Sequence, residues 1–121
     1  MTLACIDHKS SAAVATLTLN SNILITVDMA DPTQPKEAGR FWLPGMNLAA
    51  GEQPWPSAIG RFGLHHAIVH ADTAYCSWRD ACLVVVDVSD HSAPRLVTHK
   101  SWSPPFGGGT HNCMPLPERE V

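Results

Sequence analysis

The chain has 121 residues, a net charge of −3 with its histidines neutral, 45% hydrophobic residues and 16% charged residues. This length is enough for one domain of ordinary size, and without any basic run a nucleic acid or an anionic membrane is a poor choice of partner. No apolar stretch approaches the ~20 residues that a membrane helix needs, and the N-terminus MTLACIDHKSS lacks the pattern of a signal peptide. We therefore expect a cytoplasmic protein.

Proline and glycine are spread through the whole chain, with ten and eight residues respectively. They interrupt every stretch that is long enough for a helical period. Short strands separated by many turns have this composition, so the sequence predicts an all-β fold.

The first part of the chain predicts a hairpin and an outer strand. Residues 1–11 show no clear pattern, whereas residues 14–19 alternate apolar residues with threonine, as a half-buried strand does. An asparagine-rich turn at 20–22 leads to a second strand at 23–28. After a further turn, residues 36–42 are expected to form a short, polar outer strand.

Residues 43–62 form a long loop that contains Trp55. A loop of this length inside a compact domain is often functional, for example as a binding loop. The alternative is a packed Ω-loop that only covers a core, with Trp55 as its anchor. The sequence leaves both interpretations open.

The best-formed unit lies between residues 63 and 104. It predicts four antiparallel strands, with a hairpin loop at 78–81, and the strands fall at 66–70, 73–77, 82–88 and 95–100. Four antiparallel strands in about 40 residues make one blade of a β-propeller. A further inner strand is expected to begin at 110–116.

One sequence design occurs twice. ILITVDMADPTQP covers residues 23–35 and CLVVVDVSDHSAP covers residues 82–94. The equivalent positions are Asp28 and Asp87, Asp31 and Asp90, and Pro35 and Pro94. A residue that recurs in each copy of a repeat is usually a structural device. We therefore expect these aspartates to accept backbone N–H groups at turns and to take no part in catalysis.

The segments VDVSDHSAP and VDMADPTQP resemble the repeat of the LVIVD-repeat proteins, and RFGLHHAIVH, TAYCSWRDA and SWSPPFGGGTHN resemble the same family. The resemblance implies a single partial β-propeller domain over 1–121, of about two to three four-stranded blades. Its blade-like repeats would cover about 14–42 and 63–102, and a further blade would start within 109–121. Propellers have ~4 to 8 blades. The chain is therefore expected to be a fragment of a longer propeller, a truncated gene product, or a piece that closes only by association.

Three histidines are the candidate site residues. Aligning GLHHAI (63–68) with GTHNCM (109–114) places His65 on His111, each at the start of an inner strand. Histidines from successive blades would then converge near the propeller axis and could hold a divalent transition metal. Adjacent strand residues point to opposite faces, so His65 and His66 would not both ligate unless the chain is irregular there. The alternative is that the three histidines line the channel and only make backbone hydrogen bonds.

Other polar residues give weaker signals. Cys113 lies two residues from His111 and could share a face with it. The predicted 78–81 loop groups Trp78, Arg79 and Asp80 as a polar cluster, in which an Arg–Asp surface pair is expected.

The cysteines lack the C-x-x-C spacing of zinc and thioredoxin sites, so buried reduced thiols are expected. Cys76 and Cys82 could also face each other across a hairpin.

Two functions are compatible with this sequence. The first is a propeller scaffold that acts as a binding or interaction module, with a protein partner or self-association covering its open blade edges. The second is a metal-dependent enzyme with a histidine-lined site at the channel mouth, built from His65 and His111, with His66 and Cys113 as further candidate ligands. No G-x-S-x-G element or phosphate-binding loop indicates another chemistry, and the catalytic residues stay unassigned.

Overall fold

The described residues form two four-stranded antiparallel sheets, each with its strands in chain order. The computed structural model describes residues 2–6, 12–16, 23–54, 61–116 and 118. The first sheet contains β1 Thr2–Ile6, β2 Ala12–Thr16, β3 Leu24–Asp28 and β4 Lys36–Phe41; the second contains β5 Phe62–His70, β6 Thr73–Arg79, β7 Leu83–Asp87 and β8 Arg95–Lys100. Over these residues the helical structure is a single 3-10 turn at Leu48–Ala50, so the all-β prediction is confirmed. No helix among them is long and apolar enough to cross a membrane.

The first sheet begins earlier than the sequence pattern indicates. Residues 1–11 show no clear pattern in the sequence, but β1 occupies Thr2–Ile6 and pairs with β2. The strand predicted at 14–19 is β2 at Ala12–Thr16, which forms the predicted antiparallel pair with β3. The bounds of β2 differ from the prediction because pairing with the neighbouring strands sets them, and apolar alternation within AAVAT does not.

In the second sheet the observed hairpin loop is shorter than the predicted loop at 78–81. Trp78 and Arg79 belong to β6, and the tight turn is made by Asp80 and Ala81. Arg79 and Cys82 on either side of the turn adopt positive φ angles of 46° and 68°. The strand expected at 110–116 is also absent from the described residues. Only an isolated bridge between Thr110 and Arg79 forms there.

The two copies of the sequence repeat have the same strand register. Asp28 pairs with Lys36 and Asp87 with Arg95, and the register of each strand pair shifts at the equivalent place, between Thr26 and Val27 and between Val85 and Val86. In each copy the aspartate caps the following turn, because Asp28 accepts the N–H of Ala30 at 2.8 Å and Asp87 that of Ser89 at 2.9 Å. The expectation that these carboxylates accept backbone N–H groups at the turns is therefore confirmed.

The second aspartate of each repeat makes the same kind of turn. Asp31 accepts from the hydroxyl of Thr33 at 2.7 Å, and Asp90 accepts from the hydroxyl of Ser92 at 2.6 Å. These hydroxyl bonds are the main cause that lowers the pKa of each carboxyl group below its usual value. Both groups therefore stay ionised in their turns.

Trp78 joins the two sheets in the core. Its side chain is fully buried, Phe41 of β4 packs edge-on against it with ring centroids 6.0 Å apart, and its Nε1 donates to the Met46 sulfur at 3.0 Å. Large aromatic side chains contribute most to core energy when their polar atom also has a partner. The placement of Trp78 in a polar surface cluster was therefore wrong.

A second joint connects the first sheet to the turn between β7 and β8. Thr26 of β3 donates its hydroxyl to the carbonyl of His91, and Gly39 lies opposite Thr26 in the β3–β4 register. A Cβ atom on Gly39 would lie 2.4 Å from the His91 carbonyl oxygen. Only glycine allows the two backbones to approach this closely.

Glu52 organises the described part of the loop after β4. Its carboxylate accepts from Trp42 Nε1 at 2.8 Å and from the backbone N–H groups of Gly45 and Asn47, each at 2.9 Å. The hydrogen bond from Trp42 is the main cause that lowers the pKa of Glu52. With Leu43 and Met46 buried as well, the start of this loop is packed, whereas residues 48–51 are exposed and Trp55 lies outside the described residues.

Candidate metal centre

A large irregularity in β5 shapes the candidate site. β5 pairs with β6 through Phe62 opposite Arg79 and again through His66 opposite Ser77, so three β5 residues face one residue of β6. Bulges break the strict alternation of side chains and redirect them. His65 and His66 could lie on one side of the sheet only if the chain is irregular there, and this irregularity is present.

The segment that carries His111 runs along the end of β6. Thr110 donates its N–H to the Arg79 carbonyl at 3.0 Å. Just before it, Gly108 lies so close to Asp80 that a Cβ atom would be 2.7 Å from the Asp80 Cα. The segment is therefore held against the second sheet without forming a strand of its own.

Asp80 also fixes the start of β5. Its Oδ2 accepts the backbone N–H of Arg61 at 2.5 Å, and its own N–H donates to the Arg61 carbonyl at 3.2 Å. The end of β6 thus orients both histidine-bearing segments. Asp80 does not form the predicted surface pair with Arg79, since the ion pairs within the described residues are Arg40–Glu37 and Arg95–Asp87.

Ser77 lies beneath the two segments and contacts both. Its hydroxyl accepts the His66 N–H at 3.1 Å and reaches the His66 carbonyl at 3.0 Å and the His111 carbonyl at 2.6 Å. The side chain is fully buried. A buried hydroxyl is tolerated only when it is hydrogen-bonded, and here its partners are the histidine backbones.

The three imidazole rings meet at one place. Ring centroids are 3.9 Å apart for His65 and His111, 4.3 Å for His65 and His66, and 5.4 Å for His66 and His111. One nitrogen from each ring lies within 4.8 Å of the others. The Nδ1 atoms of His65 and His66 are in hydrogen-bond contact. His65 and His66 are half-buried and His111 is exposed, so solvent reaches the cluster from one side.

The surroundings of His65 favour its neutral form. Partial burial is the main cause that lowers its pKa, and the charges of His111, His66 and Arg79 act in the same direction. A hydrogen bond to the His111 backbone opposes them. A neutral imidazole has a free nitrogen lone pair, which is the form that binds metals.

The donor set suits a first-row transition metal. Imidazole is a ligand for Zn, Cu, Fe and Ni. Nitrogen ligands on a tetrahedral zinc, with bonds of ~2.0–2.1 Å, lie roughly 3.4 Å apart. The three nitrogens lie within 4.8 Å of one another, a separation of the same order as this spacing. Three protein ligands also leave a fourth position free for water or a substrate.

The remaining candidates lie elsewhere. The Cys113 thiol points to the carbonyl of Cys76 at 3.8 Å and is not part of the histidine cluster. Burial raises its pKa, and burial raises that of Cys76 further, so both stay protonated thiols. Cys76, Cys82 and Cys113 are free, as expected of reduced thiols.

The histidines outside the cluster serve other contacts or lie at the surface. His99 contacts the Ala81 carbonyl at 2.7 Å, His91 lies at the joint between the sheets, and His70 is exposed at the end of β5. His8 lies outside the described residues.

Sequence reasoning brought the three histidines forward but missed Ser77. The serine lies inside an apolar strand, TAYCSWR, between Cys76 and Trp78. The available signal was a polar residue flanked by two residue types that are often buried, and the fold does bury both neighbours completely.

The chain was compared with known proteins. A family model described as the LVIVD repeat matches residues 18–42 and 69–99, which include the duplicated strand and turn. Searches of the curated proteins and of the solved structures returned no match.

Proposed function

From the premise that this chain is an LVIVD-repeat protein, an all-β scaffold of partial β-propeller type, we propose that it binds a divalent transition metal through His65, His66 and His111. The observation that carries the proposal is the convergence of three imidazole nitrogens within 4.8 Å. Two of these histidines lie in a bulged strand and the third lies in a separate segment, so the cluster depends on tertiary structure.

Three features support a site with an exchangeable ligand. The cluster is open to solvent at His111, a neutral His65 is ready to ligate, and a three-histidine set leaves a coordination position free. A metal with an open position can polarise a bound substrate or activate water. Metal-dependent catalysis is therefore the chemistry that this site would support.

Titration with Co²⁺ or Zn²⁺ tests the proposal. We expect each of His65→Ala, His66→Ala and His111→Ala to weaken binding more than about tenfold, because losing a ligand costs more than losing an outer-shell partner. His70→Ala is the matched control, since His70 lies in the same strand but outside the cluster. Equal metal content in the wild type and in His111→Ala would refute the proposal.

A second candidate function, an interaction module, is favoured by exposed apolar side chains. Five apolar residues on or after β8 are each between 47% and 70% exposed; they are Leu96, Val97, Phe106, Met114 and Leu116. A contiguous patch of exposed apolar side chains marks an interaction site. Its test is the state of association of the chain in solution, measured by size-exclusion chromatography with light scattering.

A further inference from the structure

The buried hydroxyl of Ser77 is placed to control the spacing of two of the metal-site histidines. A serine hydroxyl has one proton to donate and lone pairs to accept with. It accepts the His66 N–H at 3.1 Å and has carbonyl acceptors at 2.6 Å, from His111, and at 3.0 Å, from His66. The contact to the His111 carbonyl is the shorter of the two, so the hydroxyl proton is better placed there. The hydroxyl then accepts from His66 and donates to His111, and in this way it bridges the two histidine backbones.

Other contacts hold the two segments less directly. His66 rejoins β6 only after the bulge, and His111 follows an isolated bridge at Thr110 and lies outside every described strand. Ser77 fixes both chains at the histidine residues themselves. A shift of either backbone would change the distance between the two rings.

We propose that Ser77 is a positioning residue for the three-histidine metal site, holding His66 and His111 at ligating distance through their backbones. The inference rests on the proposed function. Outer-shell hydrogen bonds that orient metal ligands typically contribute 10–100-fold to affinity. Ser77 would act on the backbones of the ligands, not on their rings.

The first test is Ser77→Ala, which removes the hydroxyl and changes the volume little. We expect Co²⁺ affinity to fall about 10–100-fold. The visible spectrum of bound Co²⁺ should also change, because a displaced His111 alters the coordination number. A role in folding stability alone would leave the spectrum of the folded, metal-loaded protein unchanged.

Thr26→Val is the matched control. Thr26 is also fully buried and also donates its hydroxyl to the carbonyl of a histidine, His91, but that bond lies at the joint between the sheets. This variant should lose stability and keep the Co²⁺ affinity and spectrum of the wild type. Equal losses of affinity in both variants would contradict a specific role for Ser77.

A second measurement needs no variant. In the wild-type protein, Zn²⁺ should slow hydrogen exchange of the His66 amide, because fixed ligands also fix its bond to Ser77. The Val88 amide, which donates to the Asp72 carbonyl at 2.8 Å at the other end of the sheet, should not respond. Exchange of the His66 amide that is unchanged by Zn²⁺ would overturn the inference.

The outcomes separate the two proposals. If the wild type binds no metal, the proposed function fails and the role of Ser77 fails with it. If the wild type binds metal but Ser77→Ala binds it with the same affinity and spectrum, only the role of Ser77 fails.

Discussion

Gly39 and the turn at His91 and Ser92 approach within the distance that a side chain would occupy. An added Cβ would lie 2.4 Å from the His91 carbonyl oxygen and 2.9 Å from that of Ser92. Both neighbours are backbone atoms and cannot swing aside as a flexible side chain can. In the second repeat the register position of Gly39 is held by Thr98. Because Thr98 carries a side chain, the backbone of another turn cannot approach the second repeat as closely as the His91 turn approaches Gly39.

Gly39→Ala should destabilise the protein by separating the sheets. Overpacking of this kind typically costs ~1–3 kcal/mol. Chemical denaturation monitored by circular dichroism measures the loss. Gly107→Ala is the control, because a Cβ on Gly107 meets nothing within 4 Å. Equal stability of the two variants would show that the joint at Gly39 is not closely packed.

At single residues, the sequence predicted some roles and could not predict others. The turn aspartates were predictable because an Asp that recurs before each turn accepts from the local backbone, and this contact involves only residues that are close in sequence. Ser77 and Gly39 were not predictable in this way. Their partners lie 34 and 52 positions away in sequence, at His111 and His91, and only the folded chain brings them together.

At the scale of elements, local pattern was sufficient for strands with strong apolar runs and failed elsewhere. β7, with the sequence LVVVD, was predictable from its apolar and β-branched residues. The bulge in β5 was not, since FGLHHAIVH gives no sign of where pairing stops and resumes. This bulge decides which side of the sheet His65 and His66 share, so the candidate site followed only in part from the sequence.

The loop after β4 depends on one carboxylate, and this gives it a pH dependence. The pKa of Glu52 is lowered in the folded state, mainly by the hydrogen bond from Trp42. A lowered folded-state pKa stabilises the protein above the unfolded value of ~4.3, and this contribution is lost as pH falls through the folded pKa. Acid should therefore loosen this loop.

Glu52→Gln should reduce the free energy of unfolding at neutral pH, because the amide lacks the charge that strengthens the three hydrogen bonds. The difference from the wild type should shrink as pH falls below about 4. Denaturation curves at a series of pH values measure it. Glu118→Gln changes an exposed carboxylate outside the loop and serves as the control. A difference that does not depend on pH would contradict this role.

For the whole molecule, the free edges of the two sheets differ in character. The edge strand β4 presents Lys36, Glu37 and Arg40, and charges on an edge discourage pairing with another sheet. The edge strand β8 exposes Leu96 and Val97 at 47% and 60%. The side of the second sheet is therefore the one that needs a cover.

We expect a second copy of the chain to provide that cover. The segment after β8 exposes two further apolar side chains, Phe106 and Met114, each at 70%. Size-exclusion chromatography with light scattering should give masses above the 13.1 kDa monomer that rise with concentration. The double change Phe106→Ser and Met114→Ser should shift the protein towards monomer. Leu48→Ser, at a residue 59% exposed in the loop after β4, should not. A wild-type chain that stays a well-folded monomer at high concentration would contradict self-association, and equal behaviour of the two variants would place the contact elsewhere.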